Sequence, residues 1–103
     1  MTEKDKMLRQ LMYDANYDQQ LIAERQQAKE LCYDYNQLRP SDEASQRTLM
    51  QRLLGSSKEA FCILAPFWCD YGYNIEIGDN FFANHNTVIL DAAKVTFGDN
   101  VFI

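Results

Sequence analysis

The chain has 103 residues, a net charge of -5, 47% hydrophobic and 13% aromatic content, enough for one small domain with a core. The acidic balance excludes the basic stripe of a nucleic-acid binder. No apolar run approaches the ~18 residues of a membrane span, and no signal peptide opens the chain, so a cytoplasmic setting is expected.

Taken in order, the chain first predicts a short helix over residues 1–13, with Met7, Leu8, Leu11 and Met12 at helical spacing. Asp14-Ala15-Asn16 breaks it. Asp18 then suits the N-cap of a second helix reaching about Tyr35, with Leu21, Ile22, Ala28, Leu31, Cys32 and Tyr35 on one face. Arg39-Pro40-Ser41-Asp42 is punctuation, and Ser41 is expected to cap a third helix that stops at Gly55 after Leu54. Leu49, Met50, Leu53 and Leu54 are its inward positions. Aromatic residues crowd the next stretch, and Pro66 argues against a central antiparallel strand there.

The last third repeats. Ile75-Glu76-Ile77-Gly78-Asp79-Asn80-Phe81-Phe82-Ala83 returns as Val95-Thr96-Phe97-Gly98-Asp99-Asn100-Val101-Phe102-Ile103, 20 residues on. A finer period of six links Tyr71, Ile77, Ala83 and Ile89, and then Phe97 and Ile103. The step from Ile89 to Phe97 is eight, which places two extra residues near Asp91 to Ala93. A period of six describes one side of a three-sided parallel β-helix, whose coil takes about 18 residues. Gly-Asp-Asn would form the corner, because Gly and Asn tolerate positive φ and Asp can bond its own backbone. Two ordinary hairpin strands joined by an Asp-Asn turn are the alternative.

Little in the composition supports metal or disulfide chemistry. Cys32, Cys62 and Cys69 are odd in number and are expected to be reduced thiols. Cys62 and Cys69 lack zinc-knuckle spacing, and a single histidine, His85, cannot build a multi-histidine site.

The stretch from Met7 to Asn36, together with Tyr71-Gly72-Tyr73-Asn74-Ile75, Gly78-Asp79-Asn80-Phe81-Phe82-Ala83-Asn84 and Val88-Ile89-Leu90-Asp91, resembles the maltose and galactoside O-acetyltransferases. These are a branch of the hexapeptide-repeat acyltransferases. Phe-Phe-Ala-Asn and Leu-Asp look closer to the maltose side.

The resemblance implies an α+β fold: N-terminal helices over residues 1–57, then the first coils of a left-handed parallel β-helix over residues 58–103. It also implies a homotrimer that transfers acetyl from acetyl-CoA to a sugar hydroxyl of the maltose or glucose type, with no metal. The acceptor pocket of the family lies between subunits, and Asp14, Arg25, Phe82 and Asn84 match residues that line it. The galactoside branch has Tyr at the Phe82 position and Asp at the Ala92 position, so both departures point away from galactosides.

The family's general base is a His in a Thr-(Ala/Gly)-x-His-Pro segment, which these 103 residues do not contain. A sugar hydroxyl needs such a base to become a nucleophile. The chain is therefore expected to be an N-terminal fragment, inactive alone and prone to associate through an open parallel edge. A non-catalytic remnant or trimer-assembly module is the alternative.

Single residues carry competing readings. Asp14 also suits a helix-stop aspartate, Arg25 a solvated helix charge, and Asn84 a corner residue. His85 reads as a surface or packing histidine. Asp79 and Asp99 read as corners, and Trp68 and Tyr73 as packing residues.

Overall fold

Thr2 begins the ordered architecture by capping the first helix, α1 (Glu3–Leu8), in a reciprocal box with Asp5. The computed structural model describes residues 1–103 throughout. α1 is shorter than the apolar spacing predicts. Gln10 turns left-handed at φ 61, and the Leu11 and Gln10 amides bond back to the carbonyls of Lys6 (2.9 Å) and Met7 (3.1 Å). This is a Schellman stop built without glycine. Only Met7 of the expected apolar face is buried; Leu8, Leu11 and Met12 are exposed.

α2 (Gln19–Asn36) starts where Asp18 predicts, with its carboxylate accepting the Leu21 amide at 3.0 Å. Leu21, Ala28, Cys32 and Tyr35 are buried along it, while Ile22 is exposed. α3 (Glu43–Leu53) is capped by Asp42 rather than Ser41: the Asp42 carboxylate accepts the Ser45 amide at 3.2 Å. Such caps each stabilise a helix by about 1 kcal/mol.

Six short strands follow: β1 (Phe61–Ile63), β2 (Phe67–Cys69), β3 (Ile75–Glu76), β4 (Phe81–Ala83), β5 (Thr87–Ile89) and β6 (Val95–Thr96). Each of the first three pairs in parallel with the strand three later. Phe61 stands on Phe81, Phe67 on Thr87 and Ile75 on Val95, a constant offset of 20 residues. The chain is thus a three-sided coil climbing on itself, and the hairpin alternative is excluded. Pro66 sits at the corner between β1 and β2, where it interrupts no ladder.

Alternation along the strands fills the coil. Phe81 and Ala83 point inward and are buried, while Phe82 between them faces outward. Ile63, Phe67, Ile75, Ile77 and Ile89 join the same core, and Ala28, Cys32, Tyr35, Met50 and Leu53 of the helices close it. Fully burying one such large apolar side chain is worth about 1.5–3 kcal/mol. Polar bonds fix α2 on the coil. The Asn36 amide group accepts from the Phe67 N–H (2.8 Å) and donates to the Phe67 carbonyl (3.1 Å), and the Tyr35 hydroxyl donates to the Ile63 carbonyl.

Two expectations about the repeat need correction. Tyr71 shares the six-residue spacing but packs with Met7 and Leu21 under the helices, not inside the coil. At the corners, Asn80 and Asn100 do adopt positive φ (55° and 59°). However, the Asp99 carboxylate accepts from Asp79 N–H at 2.7 Å, one coil below, rather than from its own turn. Asn80 donates likewise to the Asn100 side chain at 3.0 Å. No helix is long and apolar enough to cross a membrane.

Candidate functional site

Asp14 lies in the loop between α1 and α2 and is exposed. Its amide donates to the Glu3 carboxylate at 2.7 Å, and its own Oδ1 accepts the Tyr17 amide at 3.1 Å. Glu3 is in turn held by Lys6 at 2.7 Å. The Lys6 ammonium, and after it the Asp14 amide, keep the Glu3 carboxyl below its usual range. The Asp14 carboxylate thus bonds its own loop backbone, but it does not stop the helix, which has already ended at Leu8.

Arg25 projects from α2, half-buried, one turn beyond the buried Leu21. Its Nη1 donates to the Tyr71 hydroxyl at 2.7 Å, with the guanidinium carbon 5.8 Å from the Tyr71 ring centre. Beside it, Lys4 pairs with Glu24 at 3.1 Å and stands 4.5 Å from the centre of the Tyr73 ring. Tyr71 and Tyr73 pack at 5.3 Å between ring centres. Burial raises both phenols above their ordinary range, with Arg25 opposing the shift at Tyr71 and Glu24 adding to it at Tyr73.

The corner that carries these tyrosines is tied by Asp91, which is wholly buried. Its Oδ1 accepts the amides of Asp70 (3.1 Å) and Tyr71 (2.8 Å), and its Oδ2 those of Gly72 (2.7 Å) and Asn74 (3.3 Å). The Asn74 side chain donates to the Asp91 carbonyl at 2.8 Å. One carboxylate thus satisfies four turn amides that would otherwise be buried without partners. Sequence reading placed Asp91 in a resemblance motif and beside the two extra residues, but gave it no role. The available signal was that an insertion in a strict repeat carries an acidic residue next to apolar Ile89 and Leu90.

Phe82 and Asn84 occupy another side of the coil, the outer face of the β1–β4 pair. Phe82 stands on Cys62, meets Phe102 edge-on at 6.2 Å, and lines a groove of about 610 Å³ with Arg47, Phe61 and Phe102. Asn84 is exposed; its amide bonds the Ile103 carbonyl at 3.0 Å and its carbonyl accepts from Thr87 Oγ1 at 2.8 Å. Within one chain, then, Arg25 meets the corner after β2 through Tyr71, and Asp14 lies in the exposed loop before α2. Phe82 and Asn84 line a different wall.

His85 is exposed, and its Nδ1 lies 2.5 Å from the Ala65 carbonyl one coil earlier, a contact that ties two corners together. No group of three or more His, Cys, Asp or Glu side chains is arranged to hold a metal ion.

Residues 6–58 match the maltose acetyltransferase hexapeptide capping motif. The chain belongs to this maltose acetyltransferase family. A Saccharomyces cerevisiae protein named "Putative acetyltransferase" is 55% identical over 92 residues, which is 89% of this chain and 47% of the relative. The crystal structure of a maltose O-acetyltransferase from Clostridium difficile 630 superposes with a TM-score of 0.95 at 39% identity, over 99% of this chain and 54% of that one. A hexapeptide-repeat acetyltransferase from Vibrio cholerae, crystallised with acetyl-coenzyme A, gives a TM-score of 0.87 at 39% identity, over 100% of this chain and 55% of that one. The chain therefore spans about half the length of the relatives it matches. The matched residues 6–58 run from within α1 to just past α3.

Proposed function

We propose that the protein carrying this chain is an acetyl-CoA-dependent O-acetyltransferase acting on a sugar hydroxyl of the maltose or glucose type. The observation that carries this reading is the near-complete superposition on the Clostridium difficile maltose O-acetyltransferase. The Vibrio cholerae relative crystallised with acetyl-coenzyme A supports the choice of acyl donor. In the reaction a sugar oxygen attacks the thioester carbonyl, a C–O bond forms, the C–S bond breaks, and the hydroxyl proton ends on the CoA thiol.

This chain's share is to hold the acceptor. Asp14 accepts hydrogen bonds from sugar hydroxyls through its carboxylate, Arg25 donates to sugar oxygens, and Phe82 and Asn84 form the opposite wall. Since Arg25 lies at the corner after β2 and Phe82 on the outer face of the β1–β4 pair, a pocket that uses both draws on two copies. That arrangement favours a homotrimer of left-handed coils, with residues 1–57 as the helical cap and 58–103 as the start of the coil. A cytoplasmic location fits the three free thiols.

The base that takes the hydroxyl proton is a histidine outside these 103 residues. His85 is read instead as a packing residue, its Nδ1 bonded to the Ala65 carbonyl one coil earlier. The 103 residues alone are accordingly inactive. The test is release of CoA thiol when the gene product carrying this chain is given acetyl-CoA with maltose or glucose. Release above background with either sugar supports the reading, and background release with both refutes it.

A further inference from the structure

Arg25 takes part in none of the ion pairs of the chain. Its hydrogen-bond partner is a neutral phenol, the Tyr71 hydroxyl, at 2.7 Å. A guanidinium has five donors in one rigid plane, so pinning Nη1 sets the direction of the others without spending the charge on a carboxylate. The pin itself is held on several sides. Tyr71 is 6% exposed, its ring is packed on Met7 and Leu21, and its amide is held by the buried Asp91 carboxylate at 2.8 Å. Leu21 lies one helical turn before Arg25, so the base of the arginine is anchored in the same cluster as its tip.

We propose that Tyr71 is a positioning residue for acceptor binding: through its hydroxyl it holds the Arg25 guanidinium in the orientation that presents the remaining N–H donors to the sugar. Tyr71 does not touch the acceptor itself. This inference rests on the reading of Arg25 as an acceptor ligand.

The test uses the gene product carrying this chain, as wild type, Tyr71→Phe, Arg25→Ala and the double variant. Tyr71→Phe keeps the packed ring and removes only the hydroxyl. It should raise the acceptor KM about 3- to 10-fold, with kcat and the acetyl-CoA KM within about twofold of wild type. The double variant should be no worse than Arg25→Ala, because Tyr71 acts through Arg25. A readout independent of activity is NMR of the Arg25 guanidinium. Rotation about its Cζ–Nε bond should be slow in wild type and become fast in Tyr71→Phe.

Unchanged rotation in Tyr71→Phe overturns the inference whatever the activity shows. A wild-type acceptor KM in Tyr71→Phe beside a raised one in Arg25→Ala also overturns it, and leaves the acceptor role of Arg25 standing. A wild-type acceptor KM in Arg25→Ala removes that role and the inference together. Absence of acetyl transfer by the wild type refutes the proposed function and, with it, the acceptor role given to Tyr71.

Discussion

Asp91 and Gly72 are 19 residues apart in sequence and 2.7 Å apart in space, carboxylate to amide. The contact joins the turn after β2 to the turn after β5, one coil above. It is the shortest of the four amide bonds that Asp91 accepts. Asp91→Ala removes the acceptor and leaves those amides buried without partners, each costing about 1–3 kcal/mol where no water reaches it. Partial relaxation of the turn makes about 3–5 kcal/mol the expected total. Asp91→Asn keeps the shape but turns an NH₂ toward two donors, so it should fall between wild type and Asp91→Ala. Urea unfolding midpoints of the three proteins check this order. Equal midpoints would show that the clamp contributes nothing.

Gly78 marks a close approach of two coils. A Cβ at that position would lie 2.4 Å from the Gly98 carbonyl oxygen and 2.7 Å from the Asp99 carboxylate. Both are fixed, since Asp99 bonds the Asp79 amide at 2.7 Å. Gly78→Ala should therefore push the coils apart and cost about 1–3 kcal/mol. Lys94→Ala is the control: its ammonium is mostly exposed and 3.7 Å from Glu76, so the change should stay within about 0.5 kcal/mol. Thermal midpoints measure both. A Gly78→Ala protein as stable as the Lys94→Ala control would rule out a rigid corner.

The glycine shows where sequence reading reaches and where it stops. Gly-Asp-Asn signals a corner by composition, and Asn80 and Asn100 take the positive φ that such residues allow. What Gly78 does is different: it makes room for the next coil, and that requirement appears only once the 20-residue register is known. The same limit applies at α1. Gln10 terminates the helix in a left-handed turn normally signalled by glycine, so apolar spacing alone ran the helix to residue 13. Asp18, an ordinary N-cap before an apolar face, was legible from sequence alone. For the candidate site, the identities of Asp14, Arg25, Phe82 and Asn84 came through the resemblance. The placing of Arg25 at the corner after β2 and of Phe82 on the outer face of the β1–β4 pair did not, because a repeat read along one line does not show which side a corner faces. Tyr71 departs from its spacing for this reason: the spacing fits the coil interior, but Tyr71 follows β2 at a corner where Asp91 holds the backbone and the ring packs on the helices.

Tyr35 gives the fold an alkaline limit. Its hydroxyl donates to the Ile63 carbonyl between α2 and β1, and burial, aided by Cys62, pushes the phenol up to about 12 from 10. The folded state thus holds this proton more tightly than the unfolded one. The resulting stability is complete below pH 10 and is lost as pH rises from 10 through about 12. Tyr35→Phe removes that component of the pH dependence. It also leaves the Ile63 carbonyl without its donor, at a cost of about 1–3 kcal/mol at neutral pH. Melting temperatures measured from pH 7 upward should fall more steeply above pH 10 for wild type than for Tyr35→Phe. Parallel curves would place the alkaline loss on the buried Tyr71 and the half-buried Tyr73.

The three thiols should differ sharply in reactivity. Cys62 faces outward from β1 and is exposed, whereas Cys32 and Cys69 are buried, with their sulfurs 3.9 Å apart at the contact between α2 and β2. At that separation they are in contact without being bonded, since a disulfide requires about 2.05 Å. The contact with the Cys32 thiol, and after it burial, push the Cys69 thiol up, while the same contact lowers Cys32; what shields both is that neither sulfur is open to the reagent. Brief treatment of the native protein with iodoacetamide should therefore alkylate Cys62 alone, and addition of urea should release the other two. Peptide mass spectrometry resolves the three sites. Early labelling of Cys32 or Cys69 would mean that α2 lifts from the coil on the timescale of alkylation, and that the contact holding the helical cap is weaker than its buried area implies.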